Sequence, residues 1–128
     1  MKKIFPERFK GQVIVLTGAA RGIGKATALR AAKESARLVL TDRLEKEGRE
    51  VLKAVKKEDG EAIFLCLDLS VEENARKMVE EAVKAYGRID IAINNAGVMG
   101  NPDPVHALTK EQMDYTMVNN FYSVFYSC

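Results

Sequence analysis

The stretch that decides the fold lies at residues 17–24 and reads TGAARGIG. It follows an apolar run at residues 13–16 and precedes an alanine-rich helical pattern at residues 25–33. Glycine has no Cβ, so a turn built from glycines lets an anion come close to the backbone. The free N–H groups and the dipole at the start of a helix attract that anion. The stretch therefore predicts a strand, a turn and a helix, with a turn that can hold a phosphate.

Two kinds of glycine-rich turn compete with a dinucleotide-binding turn here. A nucleoside-triphosphate P-loop would need a glycine in place of Ala19 and a serine or threonine in place of Ala26, so the residues present argue against it. A tight turn that binds nothing is the second alternative. However, Asp42 ends the next apolar run, where a carboxylate can accept both hydroxyls of a ribose. This spacing favours a dinucleotide over either alternative.

In the rest of the chain, short apolar runs continue to alternate with longer helical patterns. The runs lie at residues 13–16, 38–40, 62–67 and 89–93. They are nearly continuous rather than alternating, as expected for strands covered on both faces. The order is βαβαβαβα, which predicts an α/β doubly wound parallel sheet with strand order 3-2-1-4. Capping boxes, Ser70 with Glu73 and Thr109 with Gln112, predict the starts of the third and fourth helices.

Composition narrows the class of protein. A chain of 128 residues makes about one domain, and its 47% apolar and 30% charged residues argue against disorder. A net charge of +2 is too balanced for a nucleic-acid partner, and no apolar run reaches the ~20 residues of a membrane span. Without a signal-like start or a cysteine framework, we expect a cytoplasmic protein. Cys66 is predicted to be a buried strand residue, and the lone His106 gives no reason to expect a metal site.

A second motif, Asn94-Asn95-Ala96-Gly97, follows the fourth apolar run. Together with the pattern Thr-Gly-x-x-x-Gly-x-Gly at residues 17–24, it makes the whole chain resemble the short-chain dehydrogenase/reductase family. The resemblance implies a single NAD(P)-binding Rossmann domain over residues 1–128, incomplete at its C-terminal end. It further implies that the chain corresponds to the N-terminal half of a family member and stops after the fourth helix.

The candidate cofactor-binding residues follow from these motifs. By their chemistry or by the resemblance they are Gly18, Arg21, Gly22, Ile23, Gly24, Asp42, Asp68, Leu69, Asn95 and Gly97. Asp42 would repel a 2′-phosphate and favours NAD, whereas Arg21 and Arg43 could pair with that phosphate. We therefore expect NAD, with NADP as the less favoured cofactor. For Asp68, a purely structural role in the turn before Ser70 stays equally open, and Asn94 is expected to tie neighbouring strands together.

The resemblance also implies the chemistry, which is hydride transfer between a nicotinamide and an alcohol or carbonyl carbon of a small-molecule substrate. The family uses a tyrosine, a lysine, a serine and an asparagine. Asn120 corresponds to the asparagine, although its neighbour Asn119 leaves a slip of one residue open. The chain contains no Tyr-x-x-x-Lys pair and no counterpart of the catalytic serine, so we expect it to be inactive alone. The alternative is a non-enzymatic dinucleotide-binding or oligomerisation module.

Aromatic residues are concentrated in the predicted fourth helix. They are Tyr115, Phe121, Tyr122, Phe125 and Tyr126. A packing role suits these side chains better than general acid catalysis, because no lysine lies four residues after any of the tyrosines. In the family this helix contributes to a dimer interface, so the resemblance implies a homo-oligomer formed through it.

Overall fold

Four parallel strands and the helices between them make up residues 5–128, the part of the chain that the computed structural model describes. The strands are β1 (Val13–Thr17), β2 (Arg37–Asp42), β3 (Glu61–Cys66) and β4 (Ile91–Ile93). The helices between them are α1 (Gly22–Lys33), α2 (Glu45–Lys57) and α3 (Glu72–Tyr86). After β4 come a 3₁₀ turn (Val105–Ala107), α4 (Lys110–Met117), a π-helical segment (Val118–Tyr122) and α5 (Ser123–Ser127).

The strand order is β3-β2-β1-β4, which confirms the order predicted from the sequence. In register, β1 places Ile14 opposite Leu38 of β2 on one side and opposite Ile91 of β4 on the other. The chain builds outward from β1 to β2 and β3 and then returns to place β4 on the far side of β1. The switch point of this doubly wound sheet therefore lies at the carboxyl ends of β1 and β4, where such folds bind their ligands.

The central strands β1 and β2 are buried on both faces, which explains why their sequences are continuously apolar. One face carries Ile14, Leu16, Leu38 and Leu40 against helix residues such as Val51. The other face, built by the alternate strand residues, forms a second apolar cluster whose buried members are Val13, Val15, Val39, Leu69, Ala75, Met78 and Ala82. The sheet therefore packs against an apolar cluster on each of its two faces.

The edge strand β3 is less well covered. It ends at Cys66, whose side chain is exposed and lies 3.7 Å from the carbonyl oxygen of Arg43. The prediction of a buried cysteine is therefore wrong. The reason is topological, because β3 is the outermost strand of the sheet and its last residue reaches the open edge.

Of the two predicted capping boxes, one is confirmed and one is wrong. Thr109 Oγ1 accepts from the Gln112 amide at 3.2 Å, and Gln112 Oε1 accepts from the Thr109 amide at 2.9 Å. By contrast, α3 has Val71 at its N-cap, without a side-chain cap. The Ser70 hydroxyl donates instead to Asp68 Oδ1 at 2.7 Å. The sequence pattern predicts that the Ser70 hydroxyl caps α3, but this hydroxyl bonds to the nearby Asp68 carboxylate instead.

The fourth helical pattern is interrupted where the sequence predicts one continuous helix. Its central turn, Val118–Tyr122, is π-helical and contains both Asn119 and Asn120. Single π-helical turns inside α-helices occur frequently at functional sites. Within residues 5–128, no helix is long and apolar enough to cross a membrane.

Candidate cofactor-binding site

A cavity of about 710 Å³ opens at the carboxyl edge of the sheet, at the switch point. Most of the predicted cofactor residues line it, namely Gly18, Arg21, Gly22, Ile23, Asp42, Asp68, Leu69, Asn95 and Gly97. Gly24 does not line the cavity and lies within α1, and Asn120 does not line it either, whereas Asn119 does. The fold therefore brings the predicted residues to one place from the ends of all four strands.

Gly22 shapes the part of the cavity where α1 begins. Its φ is +55°, and a Cβ built on it would meet no atom within 4 Å, so it faces open space. The N-cap residue Arg21 makes no side-chain cap, which leaves the first backbone N–H groups of the helix for another acceptor. An uncapped helix start behind an open glycine fits an anionic group such as a pyrophosphate.

Gly24 has the opposite environment. A Cβ built there would lie 1.9 Å from the carbonyl oxygen of Gly18 and 2.9 Å from Nδ2 of Asn95. The first turn of α1 consequently packs directly on the backbone that leaves β1. The two glycines have separate tasks, since Gly22 leaves room for a ligand and Gly24 allows the helix to approach the strand.

Thr17 and Asn95 join the glycine turn to the end of β4. The Thr17 hydroxyl accepts from the backbone amides of Asn95 and Ala96, both at 3.0 Å. The Asn95 side-chain amide donates to the carbonyl oxygens of Thr17 and Gly18, both at 3.1 Å. The strand-tying role that the sequence assigned to Asn94 therefore belongs to Asn95, while Asn94 Nδ2 lies 3.7 Å from Cys128 Sγ.

Asp42 stands at the wall of the cavity beside the glycine turn. Its Oδ2 accepts from the Ala20 amide and its Oδ1 from the Leu44 amide, each at 3.0 Å. These bonds fix the carboxylate at the carboxyl end of β2. The side chain is half-buried, so it can still present its remaining lone pairs and its charge to a ligand in the cavity.

The cavity wall next to Asp42 includes Arg43, Asp68 and Tyr115. Hydrogen bonds from Ser70 hold the pKa of Asp68 below its ordinary value, and the charge of Arg43 adds to this. The Tyr115 hydroxyl beside the guanidinium raises the pKa of Arg43, with smaller contributions from Asp68 and Asp42. Arg43 therefore stays protonated, and its exposed guanidinium remains at the cavity wall.

Asn120 is held by the loop that follows the Asn-Asn-Ala-Gly motif. Its Oδ1 accepts from the Val98 amide at 2.7 Å, and its Nδ2 donates to the Val98 carbonyl oxygen at 2.8 Å. Asn119 bonds within its own helix, where its Nδ2 donates to the carbonyl oxygen of Tyr115 at 2.8 Å. Of the two asparagine side chains, it is that of Asn120 that connects the π-helical segment to the loop after β4.

Several residues of the cavity were not predicted from the sequence, and Thr41 and Tyr115 are two of them. Tyr115 was predicted only as part of an aromatic packing stripe, although its position four residues before Asn119 places both on one face of the helix. For Thr41, the indication in the sequence is its position next to Asp42 at the end of β2. It belongs to no motif, and its role depends on which face of the strand it occupies.

The parallel doubly wound sheet and the cleft at its switch point define a Rossmann-type α/β protein with a nucleotide-binding edge. The chain belongs to the short-chain dehydrogenase/reductase family, because the model for short chain dehydrogenases matches residues 12–128. Members of this family are oxidoreductases that bind NAD(P).

Individual relatives agree with this assignment. An oxidoreductase of Listeria monocytogenes described as uncharacterised is 41% identical over 105 residues, which is 82% of this chain and 42% of that protein. The structure of NAD⁺-bound xylitol dehydrogenase has a TM-score of 0.90 at 31% identity and covers 94% of this chain. A metagenomic short-chain oxidoreductase in complex with NADP has a TM-score of 0.88 at 34% identity and covers 93%. This chain spans 46% and 54% of those two structures.

Proposed function

We propose that this chain provides the dinucleotide-binding domain of an NAD-dependent short-chain dehydrogenase/reductase that acts on an alcohol or carbonyl compound. The observation that carries the proposal is the open, uncapped start of α1 at Gly22 beside the fixed carboxylate of Asp42. The first feature suits a pyrophosphate and the second suits the two hydroxyls of a ribose. When bound, the nicotinamide would accept or supply the hydride.

The proposed preference for NAD over NADP rests on repulsion between the Asp42 carboxylate and the 2′-phosphate of NADP. The Asp42 carboxylate stands where a 2′-phosphate would come close, and like charges in a partly enclosed site repel strongly. Arg21 and Arg43 line the same cavity and are the residues that would favour NADP. We give Asp42 the greater weight because hydrogen bonds hold its carboxylate in position.

Calorimetric titration of the natural gene product with NAD⁺ and NADP⁺ tests the proposal. We expect one site per chain, with the tighter affinity for NAD⁺. Gly22→Ala should weaken binding about tenfold or more, because the new methyl group stands where the pyrophosphate would approach. Gly87→Ala is the matched control, since Gly87 also has a positive φ, +76°, and open space, but lies at the end of α3 outside the cavity. Equal losses in the two variants would contradict a ligand at Gly22.

For the chain alone we propose cofactor binding without hydride transfer, because its 128 residues contain no Tyr-x-x-x-Lys pair. Asn120 is proposed as the asparagine of the catalytic machinery. Both polar atoms of its side chain are engaged with Val98, so its contribution would be to hold that backbone against the π-helical segment.

We also propose that a second copy of the chain packs on the fourth helical region. Phe121 and Phe125 lie four residues apart there and are 57% and 67% exposed, an unusual exposure for two phenylalanines on neighbouring turns. Replacing both by alanine should convert an oligomer into monomers in sedimentation velocity. The control is Val79→Ala with Val83→Ala, a pair of exposed apolar residues on α3, which should leave the sedimentation profile unchanged. An oligomer that survives the Phe121/Phe125 double variant would refute this interface.

A further inference from the structure

The Thr41 hydroxyl is an unsatisfied polar group inside an otherwise well-paired region. The side chain is 0% exposed, and among residues 5–128 its Oγ1 is the one buried side-chain oxygen or nitrogen without a hydrogen-bond partner. Nearby buried hydroxyls are paired, since Thr17 accepts two backbone amides and Ser123 donates to the carbonyl oxygen of Asn119 at 2.6 Å. Buried polar groups are nearly always bonded, so an exception needs a physical reason.

The position of Thr41 points to that reason. It is the penultimate residue of β2 and lines the cavity between Asp42 and the end of β3. Alternation along the strand places it on the same face as Val39, which belongs to the apolar cluster of Leu69 and Met78. A valine has almost the same shape and would continue that cluster without leaving a polar atom unpaired. Packing alone therefore gives no reason for a threonine here.

We propose that Thr41 is a further cofactor-binding residue, whose hydroxyl completes its hydrogen bond with the adenosine half of the dinucleotide, either directly or through one water that the ligand traps. The adenosine half is assigned because Thr41 shares its part of the cavity with Asp42, Asp68 and Leu69. The inference rests on the proposed function.

The consequence is a hydroxyl that is unpaired in the free protein and paired in the complex. An interaction that forms only in the complex contributes fully to affinity and nothing to the stability of the free protein. A hydroxyl that holds a permanent buried water would behave differently, because it would stabilise the free and bound forms equally and leave affinity unchanged. The two cases can therefore be separated by measuring both quantities on one variant.

The experiment compares Thr41→Val and Thr41→Ser in the natural gene product. Thermal unfolding is measured without ligand, and dissociation constants are measured for NAD⁺ and for 5′-AMP. Thr41→Val should unfold at the same temperature as the wild type or higher, yet bind both ligands about fivefold more weakly. Thr41→Ser should recover the affinity of the wild type while unfolding at a lower temperature, because it keeps the hydroxyl and loses a buried methyl group.

The other outcomes overturn the inference in whole or in part. If Thr41→Val leaves both affinities unchanged, the hydroxyl makes no ligand contact and the proposal fails, whatever the unfolding temperature of the variant. If NAD⁺ binding weakens but 5′-AMP binding does not, the assignment to the adenosine half is wrong. If the wild type binds neither ligand, the proposed function fails together with this inference. If the wild type binds both ligands and Thr41→Val binds them equally well, only this inference fails.

Discussion

Gly24→Ala is expected to destabilise the folded protein strongly, although alanine is normally favoured over glycine in a helix by ~1 kcal/mol. The added Cβ would lie 1.9 Å from the carbonyl oxygen of Gly18 and 2.8 Å from its carbonyl carbon. Backbone atoms cannot move aside as a flexible side chain does, so α1 would have to move away from β1. We expect a loss of about 3 kcal/mol or more, against a total of roughly 5–15 kcal/mol for a domain.

Urea unfolding followed by circular dichroism measures this loss. Gly22→Ala is the matched variant within the same turn, because its new Cβ meets no atom within 4 Å and its cost is limited to the positive φ of +55°. That cost is about 1–2 kcal/mol. A Gly24→Ala protein as stable as Gly22→Ala would show that the helix does not pack on the Gly18 carbonyl.

Asp42→Asn is expected to abolish most of the discrimination between NAD and NADP. At a separation of about 4 Å two unit charges repel by ~4 kcal/mol at an effective dielectric of 20, and partial exposure of the carboxylate reduces this. We therefore expect the ratio of the NADP⁺ to the NAD⁺ dissociation constant to fall about tenfold to a hundredfold. NAD⁺ binding itself should also weaken, because the amide offers fewer acceptor lone pairs to the ribose hydroxyls.

The control removes a carboxylate from the opposite end of the sheet. Asp59 precedes β3 and adopts a φ of 57°, a conformation that asparagine tolerates well, so Asp59→Asn should fold normally and keep the wild-type ratio. Thermal unfolding of both variants confirms that the comparison is made between folded proteins. A wild type that binds NADP⁺ as tightly as NAD⁺ would instead transfer the deciding role from Asp42 to Arg21.

Most of the fold could be predicted because its signals are local and redundant. The apolar run at residues 13–16, the glycine turn and the next run each predict the same βαβ unit, and Thr109 with Gln112 predicts the start of α4. One wrong prediction concerns a side chain that has two possible hydrogen-bond partners. The Ser70 hydroxyl could cap a helix or bond to Asp68, and the sequence pattern does not decide between them. Similarly, the exposure of Cys66 depends on β3 being the edge strand.

The site was predictable to a similar extent. Glycines and acids at strand ends are recognisable because the backbone conformation or the charge requires that residue type. The joining role of Asn95, the π-helical turn around Asn120 and the unpaired hydroxyl of Thr41 were not predictable. Each of these depends on atoms that are distant in sequence and meet only in three dimensions, such as Asn120 and Val98, which are 22 positions apart.

The bonds between Thr17 and the Asn95–Ala96 backbone also determine when the cleft can form. They join residues 78 and 79 positions apart and close the largest loop of the sheet together with the pairing of β1 and β4. Contacts so distant in sequence form late, because the entropy of loop closure opposes them until the intervening structure exists. A nucleotide that binds this cleft therefore selects the fully assembled sheet over every partly folded form, and its binding energy adds to the stability of that form alone.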